Sequence, residues 1–218
     1  IDMLKRQMMD GIIMGAHSLT TEAYEGVEKP IVSLDRYINE KIPIVTSDHA
    51  KGGFLAAREL LDGGCRNVVQ LMGDRIVNTP SHVRHVVLER TMNEAGVLVN
   101  SLQMQWNKCD FEIFEEMTRD LFEKFPHVDG IFGADLIAAA ALREASKRGI
   151  RVPERLKIVA YDGTPIVHMG ALNVTAIRQN IEKLAQTSVE LLIDEINGKT
   201  AKKKHYILDL ELIKGETT

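Results

Sequence analysis

Six side chains in this sequence have types and placements suited to chemistry: Asp35, Asp48, Arg84, Trp106, Asp162 and Gln179. Each comes shortly after a run of apolar residues of strand length. Asp35, with Arg36, follows Ile31–Leu34, and Asp48, with Ser47, follows Ile44–Thr46. The stretch after Val68–Met72 runs through Gly73, Asp74, Thr79 and Ser81 to Arg84. The only tryptophan, Trp106, closes the run that starts at Leu102. Asp162 and Thr164 follow Lys157–Tyr161, and Arg178 and Gln179 follow Val174–Ile177. Carboxylates accept hydrogen bonds, a carboxamide both gives and accepts them, and guanidinium donates a rigid fork. An indole face covers the apolar C–H side of a ring. Together these groups suit a small polyhydroxylated ligand held in a concave site. An aspartate at a strand end also has a plainer use as the cap of the next helix. Asp135, just before an alanine-rich helical stretch, is read as such a cap.

Other chemistries lack their residues. There is no G-x-S-x-G elbow, no phosphate-binding G-x-x-x-x-G-K-[ST] loop and no H-E-x-x-H pair. Lys51-Gly52-Gly53 has neither the order nor the spacing of a phosphate loop, and no glycine-rich dinucleotide turn follows a first strand. His82 and His85 stand three apart on an expected helix, where a solvent-facing or capping pair is commoner than a metal site. The remaining histidines, His49 among them, are scattered. The expectation is a binding protein, not an enzyme, without metal or cofactor.

The elements that must position these residues are legible from periodicity. Strand-length apolar runs alternate with helix-period segments: Phe54 to Leu61, Phe111 to Phe122, Leu136–Lys147 and Ile181–Ile196. Gly63-Gly64, Gly149 and Gly198 stop helices. Repeated β-α-β units imply parallel sheets covered by helices on both faces, with ligands at the carboxyl ends of the strands. About nine strands in 218 residues fit two small doubly wound lobes better than one sheet. The alternating run Tyr206–Ile213 is expected as one final strand returning to an earlier lobe.

Composition bounds the rest. A net charge of −4 argues against a broad nucleic-acid-binding surface on this chain, and Lys202–Lys204 read as a solvated linker. No apolar run approaches the roughly 20 residues of a membrane span. Cys65 and Cys109 lack disulfide or zinc spacing, which points to a reducing cytoplasm. Residues 1–9 read as a helix already under way, with no cap before it.

In order and spacing the motifs resemble the effector-binding core of the LacI/GalR family of bacterial transcription regulators, which shares a fold with periplasmic sugar-binding proteins. The matching stretches are Asp10-Gly11-Ile12-Ile13, Pro30-Ile31-Val32 through Leu34-Asp35-Arg36, and Val45 to Asp48 followed by Gly52-Gly53. Leu61 through Gly64-Cys65-Arg66, Ser81 to Arg84, Val152-Pro153, Tyr161-Asp162 and Thr175 through Ile177 to Gln179 continue the match over nearly the whole chain. Tyr161-Asp162-Gly163-Thr164, Thr79-Pro80-Ser81-His82 and Arg84-His85 look most like sucrose-operon repressors.

The resemblance implies an α/β fold of periplasmic-binding-protein type I, two parallel-sheet lobes with a ligand cleft between them. By analogy residues 1–45 belong to the N-terminal lobe, its first family strands absent, and 46–177 divide mainly to the C-terminal lobe. Residues 178–203 return to the N-terminal lobe, and 204–218 to the C-terminal one. It places Asp35, Arg84, Trp106, Asp162 and Gln179 against the effector and Asp48 near the first crossing between lobes, within reach of it. The implied ligand is a small sugar or sugar phosphate. Its binding would reorient the lobes of a cytoplasmic homodimer that grips operator DNA through a helix-turn-helix outside these residues. Departures are Ala134 in place of a ligand-contacting Asn, Val87-Leu88 for a glycine-aromatic pair, Cys65 for a histidine and Asn180 for a proline. A periplasmic or lipoprotein sugar-binding protein of a transporter is the alternative, since it shares the fold and the ligand chemistry.

Overall fold

Valine- and isoleucine-rich runs flanked by helix-period segments pair most readily in parallel, where both faces of a strand are buried. The computed structural model describes residues 8–15, 24, 26–73, 79–104 and 110–218. Among them the runs form two sheets. Strands β1 (Ile12–Met14), β2 (Ile31–Leu34), β3 (Ile44–Ser47) and β9 (His205–Leu208) make a four-stranded parallel sheet in the order β1-β2-β3-β9. Strands β4 (Asn67–Met72), β5 (Leu98–Gln103), β6 (Gly130–Ala134), β7 (Lys157–Asp162), β8 (Thr175–Gln179) and β10 (Leu210–Ile213) make a six-stranded sheet ordered β10-β8-β7-β6-β4-β5. Only β10 runs antiparallel, pairing Leu210 with Gln179.

Two compact units follow from these sheets. The first gathers the described residues up to Asp48, then 79–81, then Asn180–Asp209; the second gathers His49 to Gly73, His82–Gln179 and Leu210–Thr218. The run Tyr206–Ile213 is therefore two strands, not one. His205–Leu208 joins the first sheet beside β3, and only Leu210–Ile213 joins the second. Of the segment 204–218, expected to return to the C-terminal lobe, residues 204–209 lie in the first unit and 210–218 in the second. Strand β3, which holds Thr46 and Ser47, also lies in the first sheet rather than the second.

In the second unit the helices are α1 (His49–Asp62), α2 (Val83–Glu94), α3 (Phe111–Lys124) and α4 (Asp135–Lys147). Successive residues of a strand face opposite sides, so one strand feeds two cores. Ile131 and Ile158 pack with Phe114, Leu121 and Ile137 from α3 and α4. Their neighbours Phe132 and Val159 pack with Leu60, Leu88 and Met92 from α1 and α2. The first unit buries Val32, Val45 and Leu184 against α5 (Ile181–Ile196), with Met14, Tyr24, Ile31 and Ile38 in a second cluster. No helix among the described residues is long and apolar enough to cross a membrane.

Two glycines let α1 sit where it does. A Cβ on Gly52 would lie 2.8 Å from the Tyr161 ring and hydroxyl, and one on Gly53 would collide with the backbone carbonyl of Arg84. The Gly52-Gly53 pair is a packing device between α1, α2 and β7.

Candidate functional site

At the carboxyl end of β7 the chain reverses sharply. Asp162 has φ 108° and Gly163 φ 65°, and a Cβ on Gly163 would stand 2.7 Å from Arg178 Cα. A positive φ at a non-glycine residue is uncommon and is held only by its surroundings. Here Asp135 supplies the hold. Its carboxylate accepts from the Gly163 N–H (3.1 Å), the Thr164 N–H (2.6 Å) and the Thr164 hydroxyl (2.7 Å). Asp135 is thus no helix cap. It is the first residue of α4, the N-cap is Ala134 without a side-chain bond, and the buried carboxylate fastens the loop after β7. Burial pushes its pKa up, and the bonds from Thr164 and Gly163 offset that in part.

The turn presents Asp162 beside the end of β8. Gln179 Nε2 donates to Asp162 Oδ1 at 2.8 Å. Burial raises the Asp162 pKa most strongly. The Arg84 guanidinium works against that rise, the Asp135 carboxylate adds to it, and the Gln179 bond and His49 oppose it. Arg84 arrives from the first turn of α2 and lies over the Tyr161 ring, its guanidinium carbon 4.2 Å from the centroid. Tyr161 is fully buried, and its hydroxyl is 2.7 Å from Nδ1 of His49, the first residue of α1. Those two rings are also stacked, with centroids 5.7 Å apart and planes 29° apart.

Three of the six expected residues, Arg84, Asp162 and Gln179, are therefore brought together in the second unit. Arg178 points to an exposed ion pair with Glu211 instead. In the first unit Asp35 directly follows β2 with φ 55° and accepts from the Thr46 hydroxyl at 2.5 Å. Its backbone carbonyl takes the Thr79 hydroxyl at 2.9 Å, so the loop carrying Thr79 is tied to the β2 end. Asp48 follows β3 and donates its N–H to Leu208 O at 2.8 Å, and it is half-buried. Trp106 lies outside the described residues.

His49, Tyr161 and Asp135 were missed as site residues. His49 had a readable signal, since it stands one residue beyond Asp48 at the start of a helix. Among the described residues no group of three or more His, Cys, Asp or Glu side chains is arranged to hold a metal ion. His82 and His85 part company on α2 and its preceding turn: His85 is buried, His82 only partly.

This arrangement holds hydrogen-bond acceptors and donors of both charges around a buried aromatic ring. It can bind a ligand rich in hydroxyls and orient it.

Comparison with known proteins places the chain. A family profile described as a periplasmic binding protein-like domain matches residues 57–218. The chain is 35% identical to the ribose operon repressor of Halalkalibacterium halodurans, over 99% of this chain and 64% of that protein. It is 33% identical to the sucrose operon repressor of Pediococcus pentosaceus, over all of this chain and 67% of that protein. The chain thus spans about two thirds of the length of these relatives. Among solved structures, the periplasmic binding protein/LacI transcriptional regulator of Alkaliphilus metalliredigens QYMF, complexed with D-xylulofuranose, superposes with a TM-score of 0.88. That match is at 28% identity and covers 100% of this chain and 80% of that one. With a family profile over most of its length and repressors aligned along the whole of this chain, the chain belongs to the periplasmic-binding-protein-like family, in its LacI-type regulator branch.

Proposed function

We propose that this chain is the effector-binding part of a LacI-type repressor of a carbohydrate operon, and that its effector is an uncharged sugar. The observation that carries this reading is the cluster of Arg84, Tyr161, Asp162 and Gln179 at the ends of β7 and β8. Arg84 offers its fork to ligand oxygens, Asp162 accepts from hydroxyls, and the two charges offset each other. A phosphorylated sugar would add a dianion near Asp162 and Asp135, whose carboxyls already resist ionisation. The relatives support the sugar class, since their names attach them to ribose and sucrose operons and one structure holds D-xylulofuranose. Asp35, Asp48 and Trp106 are proposed as further ligand contacts. A ligand shifts a regulator only through different affinities for its two states, and the state that matters here is the one that holds operator DNA. In this reading that contact belongs to a helix-turn-helix outside these 218 residues, and the protein works in the cytoplasm, where the operator lies.

We also propose that the protein works as a homodimer. On the second unit Phe111, Leu136, Leu142, Ile166, Met169 and Leu172 line an apolar groove of about 630 Å³, with Met169 77% exposed. Such a face suits a second copy of the same chain.

Calorimetric titration with D-ribose, sucrose, D-fructose and D-xylulose, and with ribose 5-phosphate and fructose 6-phosphate, tests the effector. At least one neutral sugar should bind saturably and change Trp106 fluorescence, and its phosphate should bind more weakly. A phosphate binding more tightly than every neutral sugar would sink the charge argument. Light scattering on the wild type and Met169→Glu tests the dimer.

A further inference from the structure

We infer that His85 is a positioning residue for the effector site, aiming the Arg84 guanidinium through a relay that runs over the buried His85 and Gln70 side chains to Ser101. The inference rests on Arg84 being an effector contact, as proposed above. Arg84 Nε donates to His85 Nε2 at 3.3 Å. An arginine nitrogen only donates, so His85 Nε2 must carry a lone pair and no proton. The neutral ring then holds its proton on Nδ1, which faces Gln70 Oε1 at 2.9 Å. The Gln70 amide is oriented in turn, its Nε2 donating to Ser101 Oγ at 3.0 Å. Gln70 and Ser101 are register partners on β4 and β5, so the relay is anchored in the sheet.

The order of donors and acceptors is forced from the arginine end. Reversing the Gln70 amide would place its donor against the Nδ1 proton. His85 and Gln70 are both almost completely buried, and the His85 ring lies 5.5 Å from Phe132. Water competes little for the bond between those two side chains, and low local polarity strengthens it. The Nε edge of Arg84 is thereby occupied and its plane lies over Tyr161. Among the described residues no hydrogen bond engages its two terminal amino groups, which a hydroxylated ligand can take. A free arginine side chain loses much rotamer freedom when a ligand orders it. The relay imposes that order before the ligand arrives.

The test has two independent arms. In the ligand-free wild-type protein, nitrogen-15 spectra of the His85 ring should show the Nδ1–H tautomer, and an Nε2–H tautomer would overturn the relay. The Arg84 Nε–H resonance should be protected in wild type, lost in His85→Phe and retained in His85→Gln, whose amide can accept from Arg84 while donating to Gln70. The second arm titrates the same proteins with D-ribose and with sucrose. His85→Phe should weaken binding roughly fivefold, the scale of one net hydrogen bond, and His85→Gln should restore most of it. In an Arg84→Ala background His85→Phe should have no further effect. Equal losses in both backgrounds would mean His85 acts by packing alone and would overturn the proposal. If the ring spectra support the relay but Arg84→Ala leaves affinity unchanged, the effector site itself is misplaced and the positioning role falls with it. An Nε2–H tautomer with an affinity-lowering Arg84→Ala would overturn the relay and leave the site standing.

Discussion

The guanidinium carbon of Arg84 lies 4.2 Å from the centre of the Tyr161 ring, whose hydroxyl meets His49 Nδ1 at 2.7 Å. Three elements, α2, β7 and α1, thus converge on one buried phenol. Arg84→Ala should weaken sugar binding by about 1.5–3 kcal/mol, the range for a hydrogen bond to a charged group. Arg84→Lys should recover little, because an ammonium cannot reproduce a planar fork stacked on a ring. Calorimetry on folded variants decides, and full recovery by lysine would count against the fork.

Asp162→Asn should trade affinity for stability. Burial holds the folded carboxyl above its ordinary value of about 3.9, so the native state binds more protons than the unfolded one in the window just above that value. Native stability therefore falls as pH rises through the window, and the full cost is present at neutral pH. The asparagine keeps an oxygen for Gln179 and removes the charge. Its melting temperature should exceed wild type at pH 7, with the difference shrinking towards pH 4, while sugar affinity drops. A variant that melts lower at pH 7 would contradict the burial argument.

Gly53→Ala should disturb the site from outside it. The added methyl meets the Arg84 carbonyl, so α1 and α2 must separate, at about 1–3 kcal/mol for overpacking. Chemical denaturation and sugar titration should both show a loss. Stability and affinity left at wild-type values would show that the helices part without moving Arg84.

Cys65 should be inert in the native protein. Burial and then the Asp129 carboxylate push its thiol to about 12, with Lys157 pulling the other way, and the thiolate is the reactive form. Peptide mapping after iodoacetamide at pH 8 should find Cys65 modified only when denaturant is present. Rapid modification without denaturant would mean that the start of β4 opens.

Much of the scaffold was legible in local pattern. The helix Ile181–Ile196 has the expected bounds, and its start is marked by Asn180, whose side chain caps the Lys183 N–H at 3.0 Å. Helix α2 was harder to read, because Val83 and Val86 face outward while His85 is buried, blurring the apolar stripe. The run Tyr206–Ile213 alternates evenly, and nothing in a period of two says that Leu208 pairs with Ser47 while Leu210 pairs with Gln179. Asp135 looked like a cap because a cap and a loop anchor share the same local sequence. They differ only in what lies across the sheet, here Gly163 and Thr164.

The amino-acid sequence alone determined the α/β class, the polar residues at strand ends and the kinship of the chain, because those depend on periodicity and on the order of short motifs. Only the tertiary structure decided which polar groups meet. His49 and Tyr161 are 112 positions apart, and Gln70 and His85 sit on a strand and a helix whose packing no local pattern encodes. Hydrogen bonds reach about 3 Å, so such partnerships exist only once the sheet has brought distant segments within that range.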